Sequence, residues 1–323
     1  MENFNSFWPV YKNLEEETLQ LTKYINFSDD QLKVYSMHIA DLIMRIVVEI
    51  EALSKELYKI NGGPELFDDE GNARDLFFDT DCINYLNDNW KICDRNIIVA
   101  CSNFNFINEQ YRILSPLKKA NKRGTSSAKW NKAYQAVKHD RRNNLKKGNI
   151  ENLIQALGAL YILNIYYRDD IEEYGTINLP NKLFDFRLGS DIFSATFADA
   201  TNVAIESDST DTAINEKERE KMSTSLCIIK YNDEAWKNVH DELIKYNTEL
   251  INGLIKNPEF IQKVNENSTN SNNNLESHIN SIVEKMKIDY IRENPPRKFG
   301  KLLLTAKKEV IVNKGKSVYK TNS

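Results

Sequence analysis

Residues 28–61 read SDDQLKVYSMHIADLIMRIVVEIEALSKELYKIN, and this stretch decides the fold class. Leu32, Tyr35, Ile39, Leu42, Ile43, Ile46, Ile50, Leu53 and Leu57 recur at the spacing that puts them on one side of a helix. Ser28-Asp-Asp-Gln31 has the form of a capping box, and Asn61-Gly62-Gly63-Pro64 supplies a stop. The pattern predicts a helix of about 30 residues, roughly 45 Å long, which is the length of a bundle strut. Before it, Tyr11 to Ile25 reads as a shorter helix with an acidic first turn (Glu15, Glu16, Glu17). After it, Ile150 to Tyr167 reads as a helix capped by Asn149 and apolar on most sides, which predicts a central position.

Between these helices, Glu65 to Asp81 carries seven acids and one base, Arg74, and reads as an irregular insertion. Asn96 to Cys101 is a short β-prone run. Past Pro180 the pattern changes: Leu183–Arg187, Asp191–Phe197 and Ser225–Tyr231 read as strands, and Asp233–Ile255 and Leu275–Ile291 as helices. Leu302–Val312 and Ser317–Lys320 flank Asn313-Lys-Gly315 as a hairpin would. The polar runs 207–221 and 265–274 read as mobile segments. The expectation is a mainly α-helical bundle over residues 1–175, followed by a smaller α+β domain over 176–323.

With 41% hydrophobic and 28% charged residues, the composition is that of a globular protein, which excludes collagen-like and fully disordered classes. The longest apolar stretch, Leu153–Tyr167, falls short of the roughly 20 residues of a membrane span, so no membrane partner is expected. Met1-Glu2-Asn3-Phe4 is acidic where a signal peptide is basic, and the four cysteines lack CxxC spacing. Both features predict a cytoplasmic protein with free thiols. Charge is segregated. From Arg112 to Lys147 twelve Lys/Arg face one acid, Asp140, a local +11 that leaves −15 on the other 287 residues of a chain of net charge −4. Such a field bears on partners more than on fold.

The candidate site lies inside that basic segment. Its helix, predicted from Ser127 to Lys147, places Trp130, Tyr134, Val137 and Leu145 on one stripe, and Arg141 projects about 20° from Trp130 on the same stripe. A buried arginine needs a carboxylate, and Glu49 on the edge of the long helix is the expected partner in a structural ion pair. His139 projects to the opposite, polar face. A neutral imidazole there can take a proton from a ribose 2′-hydroxyl or give one to a leaving 5′-oxygen, while Lys138 and Arg142 stabilise charge on phosphorus. Lys118, Lys119, Lys122, Arg123 and Lys129 would hold the nucleic-acid strand, and Trp130 or Tyr134 would stack bases only if the helix end were open. The plain alternatives are that the basic segment is a solvated face, or that the acidic 65–81 segment docks on it. No cofactor is expected: GxxxxGK[ST], GxGxxG, HExxH and zinc spacing are absent, and Asp79-Thr-Asp81 could ligate a divalent ion but is of a kind, the short acidic doublet, that is common.

The block Trp130-Asn-Lys-Ala-Tyr134-Gln-Ala-Val-Lys-His139-Asp-Arg141, the Ala/Leu-rich Gln155–Tyr161 and Glu49–Tyr58 of the long helix resemble the HEPN superfamily over roughly residues 28 to 170. These are helical domains of toxin–antitoxin and phage-defence systems, many of them metal-independent endoribonucleases acting as dimers. The resemblance implies an RNA-engaging protein with His139 as the base, and a homo-oligomer or protein partner. The superfamily sets an arginine a few residues before its histidine. Here Lys132 stands at that distance and the arginines follow His139 instead. A non-enzymatic scaffold, whose basic surface binds an acidic protein or subunit, is the second expectation.

Overall fold

The computed structural model describes residues 5–170, 172–175, 185–201, 216–258, 261, 262, 265 and 297–315. In chain order its helices are α1 (Phe7–Leu21), α2 (Met37–Ile60), α3 (Asn84–Trp90), α4 (Glu109–Arg112), α5 (Lys129–His139), α6 (Arg141–Asn144), α7 (Ile150–Arg168), α8 (Glu216–Thr224), α9 (Asp233–Ile255) and α10 (Arg297–Thr305). The strands are β1 (Phe27–Ser28), β2 (Ile97–Val99), β3 (Phe104–Asn105), β4 (Ile113–Leu114), β5 (Glu172–Gly175), β6 (Phe193–Ala195), β7 (Phe197–Asp199), β8 (Cys227–Tyr231) and β9 (Lys308–Val312). The protein is mainly helical with small sheets.

α7 is the axis. Fifteen of its nineteen residues are buried, so it has no solvent face, and it packs against α1, α2 and α5. Asn149 caps it as expected, accepting the Asn152 N–H at 3.1 Å. The long helix α2 ends where its stop predicts but starts later. Ser28 makes no capping bond and Asp29–Gln31 is a single 3₁₀ turn. The cap is Ser36, whose Oγ accepts the Ile39 N–H at 3.1 Å. The reason lies in α7: its first two N–H groups, on Ile150 and Glu151, donate to the carbonyls of Val34 and Leu32. Residues 32–35, which leave the 3₁₀ turn at Leu32, thus form a non-helical strap over the N-terminus of α7, satisfying donors that a helix cannot satisfy internally.

The β structure joins the two halves of the chain. β2 pairs antiparallel with both β4 and β6, and the second sheet runs β5-β9-β8-β7, with β7 and β8 parallel. One apolar cluster holds Leu42, Ile46, Ile97 and Tyr161 together with Ile192, Phe193, Leu226, Val310 and Val312. Polar contacts follow the same path. The buried Glu15 carboxylate accepts the Asp191 and Ile192 N–H groups at 3.0 and 3.1 Å. A small satellite cluster of Tyr231, Ala235, Val239 and Ala306 packs α9 against α10. The core therefore runs straight through the boundary expected at residue 175.

Three other expectations change. Leu302–Thr305 lies in α10 and not in a hairpin strand, because β9 pairs with β8 and β5; residues 317–320 lie outside the described residues. Residues 186–189 form a tight turn, with 183 and 184 outside the described residues. Of the run 207–221, residues 216–221 are helical in α8 and the rest lie outside, as do 275–291 and all of 265–274 but Asn265.

Candidate functional site

The basic segment folds as a loop, a helix and two short turns. α5 buries Trp130, Ala133, Tyr134 and Val137. The Trp130 indole donates to the Pro116 carbonyl at 2.7 Å, so this ring is core and offers no stacking platform. The helix stops at His139 because Asp140 leaves the helical region (φ −151°, ψ 78°) and its carboxylate accepts the Asn143 N–H at 3.2 Å, capping α6. That break corrects the helical projection: Arg141 is exposed and forms no ion pair with Glu49 among the described residues. Glu49 lies half-buried in a groove of about 390 Å³ with Val10, Met44 and Val48, where burial pushes its carboxyl up. The α2 carboxylate that meets α5 is Glu51. It and Lys138 flank the Tyr134 phenol, whose pKa is raised by burial first and then by Glu51, while Lys138 lowers it.

A cavity of about 840 Å³ opens beside α5. Glu51 and Lys55 of α2, Phe77 and Asp79, Arg123 in the loop before α5, Lys132 and Gln135 on α5, and Lys147 after α6 line it. Asp79 sits in a wide, π-type turn over Phe78–Ile83 that runs into α3. Such turns recur at functional sites. Only 4% exposed, Asp79 accepts from Nε of Arg123 on both oxygens, at 2.9 and 3.1 Å. The Arg123 guanidinium lies 3.6 Å over the Phe77 ring. Next to it, Arg74 donates to both oxygens of Asp81 at 2.7 and 2.9 Å and holds that carboxyl below its usual range. The two acids that a divalent ion might have used are thus each engaged by an arginine. Among the described residues no group of three His, Cys, Asp or Glu is placed to hold a metal.

The expected site residues are only partly brought together. Arg123 and Lys132 share the cavity with Lys147 and Lys55. Lys132 points its ammonium at the Thr125 carbonyl, 3.3 Å away. His139, Lys138 and Arg142 are exposed but border none of the described cavities; the Lys138 ammonium lies 5.3 Å over the Tyr134 ring. Lys129 is paired with Glu151 at 3.1 Å, and Lys118, Lys119 and Lys122 are exposed. All twelve cations between 112 and 147 are exposed, and Arg123 and Lys129 alone among them form ion pairs within the described residues. Sequence reading missed Lys55, Lys147 and the Asp79–Arg123–Phe77 unit as parts of one site. Asp79 gave a signal as half of an acidic doublet and as part of the acidic 65–81 segment expected to be able to dock on the basic one.

No helix among the described residues is long and apolar enough to cross a membrane. Comparison with protein-family models, with curated proteins and with solved structures returns no match.

Proposed function

We propose that this is an HEPN-like, RNA-engaging protein that binds a single strand electrostatically through residues 112–147. The observation that supports the reading is the set of ten exposed cations in that segment left without a carboxylate among the described residues, on a chain whose net charge is −4. A strand that neutralises such cations releases counterions, so its affinity falls steeply with salt. Fluorescence anisotropy with a labelled single-stranded RNA is expected to show a log–log salt slope of several units. Equal affinity for an unrelated acidic polymer at moderate salt overturns the proposal.

His139 is the group assigned to cleavage, taking the 2′-hydroxyl proton while the 2′-oxygen displaces the 5′-oxygen from phosphorus. His139→Ala is expected to abolish metal-independent cleavage and to leave RNA affinity within about twofold. Persistence of cleavage in that variant, or its loss to a chelator in the unaltered protein, removes the assignment. A second reading, a non-enzymatic surface for an acidic protein, is favoured by one contact: the acidic 65–81 segment already docks on Arg123 through Asp79. Under that reading an acidic peptide competes as well as RNA does.

A further inference from the structure

Arg123 is held in an unusual way for an exposed arginine. Its Nε is taken by both oxygens of Asp79 and one face of its guanidinium rests on Phe77, yet among the described residues no hydrogen bond engages the terminal nitrogens Nη1 and Nη2. Those nitrogens carry four N–H donors in a planar fork, the geometry that matches phosphate oxygens. Asp79 is fixed in turn, since its Oδ1 also accepts the Thr80 N–H at 2.8 Å. The arginine is therefore oriented before any ligand arrives, which lowers the conformational entropy lost on binding.

The space in front of it suits a nucleotide unit. At about 840 Å³ the cavity is within the range of small-molecule sites. Lys55, Lys132 and Lys147 border it, against Glu51 and Asp75 once Asp79 is assigned to Arg123. Excess positive charge at a single pocket favours a phosphomonoester, which carries up to two negative charges at neutral pH, over a diester with one. The outer face of the Arg123 guanidinium offers a stacking surface to a base, while the Phe77 ring beneath it carries Arg123 at 3.6 Å and Arg74 at 5.1 Å. Asn131, 3% exposed and bordering the cavity, donates from Nδ2 to Ser127 Oγ and leaves Oδ1 without a partner among the described residues. A buried acceptor of that kind costs free energy until a donor reaches it.

We infer that this cavity captures the phosphomonoester end of an RNA strand, with Arg123 and Lys132 on the terminal phosphate and Asp79 as the positioning residue. The inference rests on the RNA-binding reading and adds a preference for a chemically distinct end. The test uses an oligouridylate of about ten nucleotides, a length that single-strand sites commonly cover, carrying a 5′-phosphate, a 3′-phosphate or hydroxyls at both ends, with AMP as a free competitor. One phosphorylated form is expected to bind at least about tenfold tighter than the hydroxyl-ended strand. Arg123→Lys, which keeps the charge without the fork, and Asp79→Asn, which frees the arginine, are each expected to erase most of that ratio. For Asp79→Asn, which leaves every strand-holding cation in place, affinity for the hydroxyl-ended strand is expected to stay within about threefold, a selectivity that general unfolding does not produce. If all three strands bind alike and with steep salt dependence, the inference fails and the RNA reading stands. If none binds, both fail. If AMP alone binds as tightly as the phosphorylated strand, the pocket is a free-nucleotide site and the strand-end assignment is overturned.

Discussion

Arg95 is 1% exposed and pairs with no carboxylate among the described residues; its guanidinium donates to the Tyr166 hydroxyl at 3.0 Å and to the Trp90 and Ser223 carbonyls. The Tyr166 hydroxyl passes the chain on to the Asn313 carbonyl at 2.5 Å. A charge this deep is tolerable only while every donor is satisfied. Arg95→Met keeps much of the volume but strands three acceptors, so urea unfolding is expected to show a loss of about 3 kcal/mol. A loss under about 1 kcal/mol means that water reaches the site. Asp81 makes a second residue-level prediction, with a pH signature. Its folded pKa is lowered, first by hydrogen bonds from Arg74, so its contribution is present above the ordinary carboxylate value and disappears as pH falls through the lower folded value. Asp81→Asn is expected to lower Tm at pH 7, and the difference is expected to shrink as pH falls through the lowered folded value. A penalty that persists unchanged into acid assigns the effect to packing and not to charge. Nothing in the sequence distinguishes Arg95 from the other charged residues, because Tyr166 and Ser223, two of its three partners, lie far along the chain and leave no local trace.

Among the elements, α7 was legible almost to the residue, since an unbroken apolar run after an asparagine cap has one reading. α2 was legible at its end and not at its start. Ser28 precedes the periodic run while Ser36 falls inside it, after Leu32 and Tyr35, and local pattern does not say that the Leu32 and Val34 carbonyls are claimed by α7. Paired substitutions separate the two serines. Ser36→Ala is expected to cost about 1 kcal/mol of stability and Ser28→Ala almost nothing. The reverse order, read from thermal or urea melts, places the helix start where the capping box had it. The same limit explains α5. An aspartate inside a basic amphipathic run reads as one more polar position, yet Asp140 ends one helix and caps the next, and so moves Arg141 off the buried stripe. Periodicity extrapolated across a break assigns faces that do not exist. The predicted Arg141–Glu49 pair depended on that extrapolation, since Arg141 lies just past the break and is exposed.

For the molecule as a whole, the mainly helical class followed from two long apolar periodicities, whereas one apolar cluster holds residues from both sides of the division expected at residue 175. Strands of two to five residues carry weak patterns, and their pairing joins residues about a hundred positions apart, as Ile97 with Ala195. The apolar residues of α7 cannot be covered by the N-terminal helices alone, because Gly158 faces Ile97 and Phe193, and Tyr161 packs on Phe193 at a ring distance of 5.6 Å. A fragment ending at Gly175 therefore uncovers that face and leaves the Glu15 carboxylate, 0% exposed in the whole chain, without the Ser190 hydroxyl and the Asp191 and Ile192 N–H groups. It also removes the Ser223 carbonyl from Arg95 and the Asn313 carbonyl from Tyr166. A small surplus of favourable terms stabilises an ordinary domain, about 5–15 kcal/mol, and losing one buried polar network and one wall of the core exceeds it. The fragment is expected to keep helical far-UV circular dichroism, to lose near-UV signal and to bind an apolar dye, as partly collapsed chains do. A fragment that melts cooperatively with native near-UV bands instead establishes an autonomous N-terminal domain, and the contacts of Glu15 and Arg95 across residue 175 then belong to an interface and not to a shared core.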